Sequence, residues 1–137
     1  MNQDFEKILR NNVSDYNGDH KAIIKKAPEL YGLACKLLRD VKITKATRLK
    51  LLAAIGYFII PDDIYPEDVH GPIGYVEDIM LLQHIFREIN SEVGKKPLER
   101  NWKGTEADLI SAIGEEFNTL KTAYPHLFKE VINFTGV

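Results

Sequence analysis

One cysteine, one tryptophan and two methionines among 137 residues leave little soft or redox chemistry in this chain. Cys35 has no second thiol, which excludes an intramolecular disulfide and fits a reducing compartment. Its setting in LYGLACKLL favours a buried, inert thiol over a reactive one. Long apolar runs are also missing. The longest, LLAAIGYFII at residues 51–60, would span roughly 15 Å as a helix, about half a bilayer core, so it makes no ordinary transmembrane span. The opening MNQDFEKILRNN is too polar and too mixed in charge for a secretory signal, and the expected location is cytoplasmic. There is no nucleophile elbow, phosphate-cradling glycine loop, paired-cysteine motif or His-Glu-x-x-His helix, so the sequence leans away from an enzyme and names no catalytic residue.

What is present is a globular composition, 45% hydrophobic and 28% charged. That excludes disorder and collagen-like repetition, and a chain of this length can build its core as one domain over residues 1–137. Apolar residues recur at helical spacing almost throughout, and no stretch alternates cleanly enough for a strand. The expected fold is therefore all-α, a single compact domain of five to seven helices.

Phe5, Ile8 and Leu9 share one side of a helix over residues 3–12, and Asp19 can cap the next. Pro28 opens a helix to residue 39 with Leu30, Leu33, Ala34, Leu37 and Leu38 as its buried stripe. Thr44 caps a helix over residues 44–60 whose second half is apolar on every side, which predicts a central position. A long helix over residues 75–93 ends at Gly94, a left-handed C-cap candidate. KKPLERNWKG reads as a loop with Trp102 folded back on the core. Thr105-Glu106-Ala107-Asp108 resembles a capping box before Leu109, Ile110, Ile113, Phe117 and Leu120, and Pro125 starts a last helix.

The net charge of −2 conceals a strong asymmetry: residues 21–50 carry nine Lys/Arg against two acids, and residues 51–86 carry six acids and no Lys or Arg. Lys36, Arg39, Lys42, Lys45 and Arg48 form a candidate contact surface. Such a segment is most simply the solvated side of two helices. It could also meet the acidic loop of a second copy, or another protein partner, by charge complementarity. It could equally lie on an anionic membrane surface, making the chain peripheral to the membrane. Nucleic acid is disfavoured, since aromatics are not interleaved with these cations and the pI is near 6.1.

The acids concentrate in PDDIYPEDVHGPIG and the turn after it. At 100° per residue, Asp78 falls on the arc of Ile79, Leu82, Ile85, Phe86 and Ile89 and should be buried, whereas Glu77 falls opposite, near His84 and Glu88, and should be wet. A buried Asp78 needs backbone N–H groups, a cation such as Arg48, or a metal shared with Asp63. The plainer reading is that Asp63 and Asp78 cap helices and lace the loop. Alternatively Asp62, Asp63, Glu67 and Asp78 hold a divalent metal, and an oxygen-only set suits Mg²⁺, Ca²⁺ or Mn²⁺.

The stretch KLLRDVKITKATRLKLLAAIGYFIIPDDIYPEDVHGPIGYVEDIMLL resembles the core of the YkvA-like family, domain of unknown function 1232. Tyr57, Pro61, Asp63, Ile64, Pro66, Gly74 and Asp78 fall on its pattern, and the likeness spans about residues 36–83. The resemblance implies a helical hairpin closed by a Pro/Asp-rich loop, with no assigned reaction. A non-catalytic interaction or scaffold domain is the reading it leaves foremost.

Overall fold

The computed structural model describes residues 3–59, 74–104 and 108–137. The helices run α1 (Gln3–Val13), α2 (Lys21–Ile24), α3 (Ala27–Leu37), α4 (Lys45–Ile59), α5 (Val76–Val93), α6 (Lys96–Asn101), α7 (Leu109–Ala123) and α8 (Pro125–Thr135). Seven of them have six residues or more, α2 is a single turn, and no strand occurs among the described residues.

Local chemistry sets these limits. Thr44 caps α4 as its spacing predicts, its Oγ1 accepting from the Thr47 N–H at 3.2 Å. Pro28 and Pro97 occupy first-turn positions of α3 and α6, where the missing N–H costs nothing. Gly94 ends α5 at φ 90°, a backbone angle that side chains resist. Asp108 caps α7, its Oδ1 accepting from the Ser111 N–H at 3.2 Å. The rest of the capping-box pattern, Thr105 to Ala107, lies outside the described residues.

The centre of the molecule is α5, which packs against α3, α4, α6, α7 and α8. Residues Val76 through Gln83 are buried without interruption, followed by Ile85, Phe86 and Ile89. The α4 and α5 helices form the expected antiparallel hairpin: Thr44 Oγ1 donates to Glu92 at 2.9 Å and Lys50 pairs with Glu88 at 2.8 Å, while at the other end Phe58 stacks on Tyr75 with ring centroids 5.7 Å apart. The apolar faces of α3, α7 and α8 close the core around them.

Four expectations need correction. Ile8 is exposed and α1 buries Phe5 in part, Leu9 and Val13 instead, because helix α3 lies along that side. Asp19 does not cap α2; His20 does so at φ 57° without a side-chain cap bond. The segment read as a loop after Gly94 contains α6, since Pro97 and the buried Leu98 give it a helical start and a core anchor. Finally, α4 is not central. Its Leu51, Ala54, Ile55, Tyr57 and Phe58 face inward, but Leu49, Leu52, Ala53 and Ile59 face solvent. Apolar character on every side made α4 look enclosed, and among the described residues one apolar face is instead left exposed.

Candidate functional site

Of the acidic residues proposed from sequence, Asp62, Asp63 and Glu67, together with Pro61 and Pro66 of the family pattern, lie outside the described residues. Tyr57, Gly74 and Asp78 are described, and all three are buried. Asp78 is 1% exposed, as its place on the helical wheel predicts. Glu77, expected to be wet, is fully buried too. The first turns of α5 are enclosed on every side, so its polar arc is buried there, whereas His84 and Glu88 further along that arc are only half buried. Both carboxylates have interaction partners. Arg48 is not one of them: its Nε donates to the Leu38 carbonyl at 2.9 Å and its Nη2 to those of Asp40 and Ile43 at 3.0 and 3.2 Å. Arg48 therefore latches the turn between α3 and α4, donating to carbonyl oxygens that the end of α3 would otherwise leave to water.

Other cations of the basic segment are also spent internally. Lys26 pairs with Glu116, whose other oxygen accepts from the buried Gln83 amide at 3.3 Å. Asp40, 9% exposed, receives Arg100 in two bonds of 2.7 and 2.5 Å, the Asn101 amide at 2.8 Å and the Lys42 N–H at 3.0 Å. The Arg100 bonds hold the Asp40 carboxyl well below the usual carboxylate range, against the opposing effect of its burial. This clamp fixes α6 against the end of α3. What remains of the predicted contact surface is Lys36, Arg39, Lys42 and Lys45, all exposed and without an ion pair among the described residues.

Two of these cations line a cavity of about 560 Å³ between α1, α3 and the residues after α6, where Arg10 and Lys103 join Lys36 and Arg39. A second recess of about 360 Å³ shares Lys36, Arg39 and Asn101 with it and adds Lys42 and Arg100. Sequence reading missed Arg10, Arg100 and Lys103, because only the fold brings them beside the basic segment. Cys35 is buried, as its neighbours predict.

The second surface feature is the outer face of α4. At 100° per residue Lys45, Leu49, Leu52, Ala53, Gly56 and Ile59 fall within an arc of about 120°. Leu49 is 58% exposed, Leu52 and Ile59 42% each, and Phe134 of α8, set edge-on to Tyr57, is exposed as well. Among the described residues, no group of three or more potential metal ligands occurs, and no helix is long and apolar enough to cross a membrane.

Fold and surface together define a small all-helical domain with the α4–α5 hairpin built on a central α5, a basic cavity and, among the described residues, one uncovered apolar helix face. Residues 47–82, which carry most of that hairpin, match the family model described as protein of unknown function, DUF1232, so the resemblance read from Tyr57, Pro61, Asp63, Ile64, Pro66, Gly74 and Asp78 is shown there. The match begins eleven residues inside the stretch that resembles the family by sequence pattern. The chain is also similar to "Uncharacterized protein ORF9" of Methanothermobacter thermautotrophicus, 28% identical over 112 residues that cover 82% of this chain and 76% of that protein. No solved structure matches.

Proposed function

We propose that this protein is a non-catalytic interaction domain whose docking face is the outer side of α4, and that its occupant is a second copy of the chain packed antiparallel. The observation that carries this reading is the line of Leu49, Leu52 and Ile59 on one exposed arc. Apolar side chains aligned over roughly 15 Å of helix gain by leaving water together.

Two features favour a second copy as the occupant. Gly56 lies in the middle of the stripe, and a Cβ placed there would touch nothing within 4 Å among the described residues. A helix-interior glycine that its own fold does not require suits close approach by another backbone. Charge points the same way. Lys42 and Lys45 stand before and at the start of α4, and the sequence runs into Asp62 and Asp63 just beyond its end. An antiparallel pair sets the cationic end of each helix toward the anionic end of the other.

Sedimentation equilibrium tests the reading. The wild type should be a dimer that weakens with salt, and Leu52→Glu should be a monomer of unchanged helix content at the same concentration. A monomeric wild type that co-sediments with anionic vesicles at low salt would instead assign the stripe and its lysines to a membrane surface. A monomer that binds neither would remove the proposal.

A further inference from the structure

We propose that the cavity between α1, α3 and the segment after α6 binds a phosphorylated small molecule that carries hydroxyl or amino groups at the end remote from its phosphates, such as a nucleoside diphosphate. No residue of α4 lines the cavity, so the proposal does not depend on how the α4 face is used.

Its volume of about 560 Å³ falls in the range of small-molecule sites. Four cations line it, Arg10, Lys36, Arg39 and Lys103, against two carboxylates, Glu6 and Glu29. None of the six makes an ion pair among the described residues, although opposite charges share one cavity. Elsewhere the same fold pairs its charges closely, as in Asp40 with Arg100 and Lys50 with Glu88. Cations left without a carboxylate beside a concave surface are available to an anion from outside, and guanidinium groups match phosphate oxygens in pairs.

The charges are also sorted along α3. Glu29 stands in its first turn, Lys36 seven residues on and Arg39 just past its end, so roughly 10 Å of helix axis separates Glu29 from Lys36. From Lys36 and Arg39 the adjoining recess continues past Val41 and the Asp40–Arg100 pair, whose charges offset each other. The carboxylates are seated by glycine. A Cβ on Gly32 would overlap the Glu6 carboxylate, and one on Gly104 would overlap the Trp102 ring and the Glu29 carboxylate. Both acids thus lie close against backbone, as acceptors for hydroxyl or amino donors, while the phosphates face the cationic end. An inorganic anion fills one end only; a nucleoside diphosphate is long enough to reach both.

Isothermal titration with inorganic pyrophosphate and with ADP, at low ionic strength, tests the site. Both should bind, ADP more tightly, and both should weaken with salt. Lys36→Ala with Arg39→Ala should raise both dissociation constants by about tenfold or more, a loss of about 1.4 kcal/mol or more. Glu29→Gln should weaken ADP and leave pyrophosphate unchanged, which separates the two ends. All three substitutions are at exposed or half-buried positions, and circular dichroism checks that the fold is kept. Absence of heat with both probes, binding indifferent to Lys36 and Arg39, or loss of ADP and pyrophosphate alike in Glu29→Gln would overturn the proposal.

Discussion

Asp40 concentrates more polar bonding than any other side chain described above, and its energetics can be read from its neighbours. Four donors converge on one carboxylate that is almost enclosed. Charge-assisted bonds of this kind contribute about 1–3 kcal/mol, and the solvent around Arg100, 45% exposed, argues for the lower part of that range. Asp40→Asn should therefore lower stability by about 1–2 kcal/mol at neutral pH, measured by urea unfolding. The sign with pH follows from the depressed carboxyl. An Asp held below its unfolded value near 3.9 stabilises the fold above that value and loses its contribution as pH falls toward the folded value. The gap between wild type and Asp40→Asn should be constant above about pH 5 and narrow below about pH 4. Persistence of the full gap in acid would show that the bonds do not depend on the charge.

Helix α4 shows how far one element can be read alone. Gly56 sits mid-helix with open space at its Cβ position, so Gly56→Ala should raise monomer stability by about 0.5–1 kcal/mol, seen as a thermal midpoint a few degrees higher. If the α4 face takes a second copy, the same substitution should weaken the dimer while stabilising its subunits. A lower midpoint in a monomeric background would mean that Gly56 is needed by its own chain. The start of α4 was legible because Thr44 is a cap with local chemistry. Its environment was not, because periodicity reports which residues share an arc and not what lies over that arc. Glu77 and Leu52 were misplaced for this one reason, in opposite directions. The first turns of α5 are enclosed on every side and bury an acid on its polar arc, and nothing described covers an aliphatic residue on the outer face of α4.

At the scale of the molecule, three distant segments meet around His84. Its ring lies 5.2 Å from Phe128 and 6.5 Å from Phe117, Arg87 and Lys121 stand over those aromatics, and its Nε2 reaches Glu88, itself paired with Lys50, at 2.9 Å. Burial lowers the pKa of His84, Glu88 opposes this, and Lys50, Arg87 and Lys121 add to the lowering. A histidine depressed in this way stabilises the fold above its unfolded value near 6.5, and that contribution is lost as pH falls toward the folded value. The thermal midpoint should drop between about pH 7 and pH 5, and His84→Gln should flatten that part of the profile; an unchanged slope would place the titration elsewhere. The sequence contained the all-α class, the hairpin, the buried Asp78 and the exposed cations Lys36 and Arg39. It could not contain the cavity, since Arg10, Lys103 and Arg100 join those cations only through tertiary packing.

The enclosed first half of α5 also bears on how the chain is made. Its neighbours come from both sides in sequence, with α3 and α4 before it and α6, α7 and α8 after it. Until residues 76–93 have been added, the faces of α3 and α4 that pack on α5 lack that partner. The native core can therefore close only after that helix, and the later helices that pack on it, have left the exit tunnel.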